Sequence, residues 1–280
     1  MPSASVIIPA HNEARVIGRL LTSLLAEAED GEFDVVVVAN GCDDDTAGVA
    51  RGFAGVRVVE TEIPSKREAL RLGDEAAAAH PRVYVDADVQ VGTADVRALR
   101  DVLAAPGGPL AAAPERALAL RDRPWPVRAY YAVWTRLPAV REGLFGRGVI
   151  AVSREGNRRL MDLPPVMGDD LAASLAFAPG ERRVVRAASA VIHPPRTLGD
   201  LLRRRVRAVT VVAEIEQGPM PGQEARTGLR DLAGIAGRAP WLLPHLAVFL
   251  TVTLVARARA RRAVKAKDYT TWLRDESSRT

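Results

Sequence analysis

Asp86 and Asp88 close an apolar, β-prone run, Val83-Tyr84-Val85, with a single alanine between them. In an open α/β sheet, ligands bind at the carboxyl ends of strands. Two carboxylates at such an edge repel each other and resist desolvation unless a cation lies between them. Oxygen ligands suit a hard divalent ion, Mg²⁺ or Mn²⁺, which in turn holds a substrate phosphate. A pair of solvated turn acids is the plainer use of the same residues. Lys66 opens a helix, where backbone N–H groups and the helix dipole already favour phosphate. His193 follows Val191-Ile192 and precedes two prolines, which makes it a candidate third metal ligand or a structural imidazole. Asp169 and Asp170 begin a further helix. An N-terminal cap accounts for one of them but does not need two.

The elements that must position these groups alternate. Ser5–Pro9 reads as a buried strand, and Val16, Leu20, Leu21, Leu24 and Leu25 repeat at helical spacing. Asn12 stands where it can cap that helix. Phe33–Ala39 contains four consecutive valines, as in a parallel strand covered on both faces. A polar turn, Asn40 to Thr46, leads to a short helix, then to a strand over Val56–Glu60, a helix from Lys66 and the strand at Val83. Four strand–helix alternations in ninety residues predict a parallel sheet wound by right-handed crossovers. The polar residues after strands one, two and four then share one edge, so Asn12, Glu13, Asn40, Asp44, Asp86 and Asp88 converge on one cleft. No Gly-x-Gly-x-x-Gly follows the first strand, which disfavours a dinucleotide site.

Beyond that, Thr93–Ala105 is an amphipathic helix and Leu110–Leu120 a strand that crosses the sheet. Tyr130, Tyr131 and Trp134 sit on a helix at core spacing. Gly143 to Val152 is a glycine-rich loop entering a strand, its glycines permitting close backbone approach.

The 280 residues are 48% apolar and 26% charged, enough for a sizeable core. One cysteine, Cys42, excludes an internal disulfide framework and fits a reducing compartment. The net charge of +5 is uneven, since residues 197–280 hold 15 Lys/Arg against 8 Asp/Glu. The basicity belongs to the tail and points to an anionic partner there. No basic n-region with a cleavable apolar core opens the sequence.

Four blocks together resemble the family 2 glycosyltransferases, which have the GT-A nucleotide-sugar-binding fold. They are Val6-Ile7-Ile8-Pro9-Ala10-His11-Asn12-Glu13, then Asn40 to Thr46, then Lys66, then Asp86-Ala87-Asp88. The resemblance extends over about residues 4–215. It implies a mostly parallel sheet flanked by helices, with a catalytic domain at 1–216 and a helical, basic appendage at 217–280. It also implies transfer of a sugar from a nucleoside diphosphate, UDP or GDP, to a hydroxyl acceptor on a glycan or lipid-linked glycan. Pro9, His11, Asn12, Glu13, Asn40 and Asp44 would line the nucleoside, Asp88 would be the principal metal ligand and Asp86 a nucleoside or metal contact. The glycine-rich loop would wall the acceptor side. Asp169-Asp170 resembles the family's Glu-Asp motif, with Asp170 matching the catalytic base of an inverting transfer. Arg207, in the run Arg203 to Arg207, best fits the arginine that reaches the diphosphate, although the Gln and Trp of that motif are absent. Ala39-Asn40-Gly41-Cys42 replaces the commoner Asp-Asp-Gly-Ser, which leaves the base preference open.

Past Gln217–Gly222, read as a flexible break, Trp241–Ala256 is an apolar helix of sixteen residues, short of the roughly 20 that span a bilayer. Arg257, Arg259, Arg261, Arg262, Lys265 and Lys267 follow it. This suits peripheral contact with an anionic membrane surface, in a cytoplasmic protein at the inner face of the cell membrane; packing on the catalytic domain is the alternative. Nucleic acid is not expected, because no reading motif accompanies the charges. A nucleotidyltransferase that makes the sugar nucleotide, or a non-catalytic sugar-nucleotide-binding relative, are the competing functions.

Overall fold

The computed structural model describes residues 1–163, 169–217 and 228–265. Among them, seven strands form one sheet: β1 (Ala4–Ala10), β2 (Phe33–Asn40), β3 (Val56–Thr61), β4 (Arg82–Val85), β5 (Ala111–Leu118), β6 (Val149–Val152) and β7 (Arg182–Ile192), in the order β3-β2-β1-β4-β6-β5-β7. β3, β2, β1 and β4 run parallel, as the alternation predicts. The valines of β2 are fully buried, and so are Val6, Ile7 and Ile8 of β1, because helices cover both faces.

On one face lie α1 (Ile17–Leu25), α2 (Thr46–Arg51) and α4 (Thr93–Ala104). Leu20, Leu21 and Leu24 of α1 pack with Val96 and Leu99 of α4 against Val6, Ile8, Val35 and Val37. On the other face α3 (Lys66–Ala76) sets Ala69 against Val36 and Val38. A Cβ on Gly73 would stand 2.4 Å from Ile7 Cγ2, so only glycine lets α3 approach β1 this closely.

β6 departs from the parallel rule. It is antiparallel to β4, with Val85 opposite Val149, and antiparallel to β5. A reversed strand beside β4 brings the loop before β6 to the same sheet edge as Asp86. β5 and β7 then run parallel to each other, with a bulge between Pro114 and Glu115.

The remaining α-helices of the described residues are α5 (Trp125–Trp134), α6 (Pro138–Glu142), α7 (Arg154–Met161), α8 (Asp169–Leu175), α9 (Leu198–Gln217), α10 (Leu229–Arg238) and α11 (Leu243–Lys265). Tyr130, Tyr131 and Val133 of α5 share a core with Leu201, Ile235, Leu246, Phe249 and Val252, which joins α9, α10 and α11 to α5. Tyr130 and Tyr131 are therefore core, as their spacing predicts, with Trp134 partly buried against them; Tyr130 stacks on Phe249 at 5.0 Å.

α11 is longer than its apolar signal. A 3-10 turn at Pro240–Leu242 precedes it, and the helix continues through the arginines, which are good helix formers. Pro240–Arg261, 22 residues, is long and apolar enough to cross a membrane by length and composition. The sixteen-residue argument against spanning therefore fails. One face of the helix nevertheless packs on the protein, with Leu246, Phe249, Val252, Ala256 and Ala260 buried on α5 and α9. Gly218–Gly222 of the expected break and Lys267 of the basic run lie outside the described residues.

Candidate functional site

The loops after β1 and β2 are laced together by short polar side chains. His11 Nδ1 lies 2.6 Å from the Asn40 carbonyl. Asn12 does not cap α1, whose N-terminus has no side-chain cap. It adopts φ 54, and its Oδ1 accepts from Asp43 N at 2.7 Å. The correction has a physical cause, since a left-handed Asn turns its amide toward a neighbouring loop. Glu13 is buried, and its N–H donates to Thr46 Oγ1 at 2.8 Å. Asp44 accepts from Ala14 N at 3.0 Å and from Thr46 N at 3.1 Å, pinning both loops with one carboxylate. Cys42 Sγ lies 3.4 Å from Ala10 O and from Asn12 N. Asn40 is buried, and with its amide turned to satisfy both ends it donates to Ala10 O at 2.8 Å and accepts from Ser65 N at 3.2 Å. Asn40 and Asp44 thus brace the loops.

At the end of β4, Lys66 Nζ is 2.7 Å from Asp86 Oδ1, and both side chains are about one-third exposed (31% and 39%). Ser65 caps α3 by accepting from Glu68 N, which holds Lys66 in the first helical turn. The Asp86 N–H donates to Gly148 O at 2.8 Å. Gly148 has φ +65, and a Cβ there would stand 2.3 Å from Val89 Cγ1, so this loop position requires glycine. Arg19 donates to the Asp88 carbonyl at 3.3 Å.

His193 comes to the same edge through β7. Gln90 and Val191 exchange backbone bonds, and His193 Nε2 lies 3.4 Å from Gln90 Oε1. Burial, together with the charges of Arg19, Arg123 and Arg196, pushes the imidazole pKa down against the opposing pull of Asp88. A neutral imidazole is the form that binds metal. Among the described residues no three His, Cys, Asp or Glu side chains form a group that could hold a metal. Asp86, Asp88 and His193 are therefore not a closed cage, and Asp86 already carries Lys66. A Mg²⁺ or Mn²⁺ on these residues would need an open site completed by substrate phosphate oxygens, as is common for these ions.

The loop before β6 is held by two arginines. Arg147, fully buried, donates to the carbonyls of Gly143 (2.9 Å), Pro114 (2.8 Å), Arg141 (2.8 Å) and Val140 (3.4 Å). Burial lowers its pKa to about 10, against the pull of Glu115 at 3.6 Å. Arg116 reaches Gly146 O at 3.0 Å, Val140 O at 2.6 Å and Phe145 O at 2.6 Å, with its guanidinium 4.9 Å from the Trp134 ring centre.

A cavity of about 340 Å³ opens between these parts, lined by Pro9, Lys66, Asp86, Leu144 and Gly148 and, from α8, by Ala172 and Ala173. Asp169 and Asp170 are the first residues of α8, so their backbone stands at the start of a helix that borders this cavity; their side chains lie outside the described residues. Val211 of α9 packs on Leu171 and Ala172, and Arg207 lies one turn before Val211. The structure thus brings Pro9, Lys66, Asp86 and α8 to one cavity, and Asp88 and His193 to the adjoining edge.

The sequence reading missed Arg19, Gln90, Arg123, Arg116 and Arg147. Gln90 had a signal, two residues past Asp88. Arg19, Arg116 and Arg123 had none, because each acts on a segment far along the chain, and nothing in the sequence around Arg147 marks it as buried.

Residues 5–137 match the family described as Glycosyl transferase family 2. A stretch of 93 residues is 37% identical to 4,4'-diaponeurosporenoate glycosyltransferase of Staphylococcus aureus, covering 31% of this chain but 24% of that protein. The fold is similar to that of the mannosyltransferase PcManGT from Pyrobaculum calidifontis in complex with GDP-Man and Mn²⁺. The TM-score is 0.61 at 23% identity, over 99% of this chain and 85% of that one. It is also similar to glucosyl-3-phosphoglycerate synthase from Mycobacterium tuberculosis in complex with Mn²⁺, UDP and glucosyl-3-phosphoglycerate. Here the TM-score is 0.55 at 24% identity, over 75% and 78% of the two chains. Residues 5–137 thus match glycosyl transferase family 2, and the course of the backbone is that of the GT-A fold.

Proposed function

We propose that this protein transfers a sugar from a UDP- or GDP-sugar to a hydroxyl acceptor on a glycan or lipid-linked glycan, with inversion and with Mn²⁺ or Mg²⁺ at Asp88. The observation that carries the reading is the Lys66–Asp86 pair at the mouth of a cavity that α8 borders. It supports a donor phosphate and a base on opposite sides of one reacting carbon. The family assignment supports transfer rather than synthesis of the sugar nucleotide.

In this reading the braced loops, with Pro9, His11, Asn12 and Glu13, cradle the nucleoside. Lys66 and Arg207 face the diphosphate. Asp88, with His193 and Asp86 beside it, would hold the metal, which when bound stabilises negative charge on the leaving diphosphate. Asp170 takes the proton from the acceptor hydroxyl as its oxygen attacks the anomeric carbon. The bond from that carbon to the diphosphate oxygen breaks, and the diphosphate leaves with the electron pair. Asp169 sits beside the base, where the helix start favours a second carboxylate. Acceptor chemistry and the basic tail support work at the inner face of the cell membrane.

Thermal stability with UDP-, GDP- and dTDP-sugars, each with and without Mn²⁺, tests the reading. One nucleotide class should stabilise the chain in a metal-dependent way, and Asp88→Asn should abolish the metal dependence. Asp170→Asn should keep that stabilisation while lowering transfer about 10²- to 10⁴-fold. No response to any nucleotide sugar would sink the proposal.

A further inference from the structure

α11 buries one face and leaves the other bare. Of its most apolar span, 28% is buried. Leu243, Ala247, Leu250 and Leu254 follow one another at spacings of four, three and four, which makes one stripe on the helix. Leu243 is 57% exposed, Leu250 40% and Leu254 61%. The stripe continues into Arg257 and Arg261, both exposed. Trp241, 69% exposed, stands just before the helix. Leu243–Lys265 contains no Asp or Glu.

The charge pattern selects the occupant. A second copy packed parallel on this stripe would set arginine against arginine. Packed antiparallel, it would press arginine onto leucine with no acid on either helix to compensate. An anionic lipid surface takes both parts at once, apolar side chains at the acyl boundary and guanidinium groups among the headgroups, with tryptophan at the interface.

The position of the stripe ties it to the cleft. The Trp125 and His245 rings lie 5.8 Å apart, so the first turns of α11 stand beside the start of α5. Two residues before Trp125, Arg123 donates to Pro194 O at 2.6 Å, next to His193. The apolar end of the stripe is thus two short contacts from the edge that carries His193.

We propose that the outward stripe of α11 lies on an anionic lipid bilayer and holds the cleft at the headgroup plane, so that the acceptor hydroxyl is drawn from the membrane. What this says of the acceptor rests on the glycosyltransferase reading; what it says of the surface does not.

The full chain is sedimented with vesicles of phosphatidylcholine alone and of phosphatidylcholine mixed with phosphatidylglycerol. It should sediment with the mixed vesicles and be released by salt. Arg257→Gln with Arg261→Gln should weaken partitioning about thirtyfold, at about fivefold for each charge removed. Leu250→Ser with Leu254→Ser should weaken it about tenfold or more. Metal-dependent stabilisation by a nucleotide sugar, read on the same samples, should be unchanged in both variants. Loss of that response with sedimentation intact would overturn the transfer reading and leave the surface standing. Equal sedimentation with both vesicle types, or none with either, overturns the surface. So does a wild-type dimer that Leu250→Ser with Leu254→Ser turns into monomers.

Discussion

The two walls of the cleft are built on opposite plans. One wall, made by the loops after β1 and β2, is held by small side chains that belong to those loops. Asn12 bonds Asp43, Glu13 N bonds Thr46, and Asp44 bonds Ala14 and Thr46. The other wall, Val140 to Gly148, rests on two guanidinium groups, Arg116 from β5 and Arg147 from the loop itself, which together satisfy most of its carbonyls. Many replaceable ties hold one wall, and one buried cation holds much of the other.

That contrast can be broken by mutation. Arg147→Met has the largest expected effect. It fills similar space but strips donors from four carbonyls in a buried place, so a loss of about 3 kcal/mol or more is expected in denaturant unfolding. A loss under about 1 kcal/mol would show that the Val140–Gly148 wall does not depend on it. Asp44→Ala removes one brace among several, and about 1–2 kcal/mol should be lost, with weaker nucleotide-dependent stabilisation. Asn12→Gly should cost least, within about 1 kcal/mol, because glycine accepts φ 54 without strain and one bond is lost. Asn12→Ala should cost more than Asn12→Gly, since both lose the bond to Asp43 and only alanine is strained at φ 54; the reverse order would mean that the left-handed backbone does not set the cost.

The same contrast explains what could be read from the chain. The wall after β1 and β2 was legible because its supports are its own neighbours. Asn12, Glu13, Asn40 and Asp44 were singled out together, although Asn12 was given the wrong partner and Asn40 is bound to backbone on both sides. Parallel strands were legible from the valine run of β2, which has no polar face to disguise it. The reversed β6 was not, since four apolar residues carry no direction. Arg147 reads as an ordinary surface cation between two glycines, and only the carbonyls converging from Pro114 to Gly143 make its burial tolerable. In α11 the apolar count ended at the first arginine, but the helix did not, because propensity and solvation are separate properties of that residue.

Gly148 carries a consequence for how such a protein can diversify. Its carbonyl holds the Asp86 N–H, and its missing side chain makes room for Val89. Any side chain at position 148 must displace Val89 and give up φ +65, which moves the carbonyl that holds Asp86, so change at this position is tied to the aspartate itself.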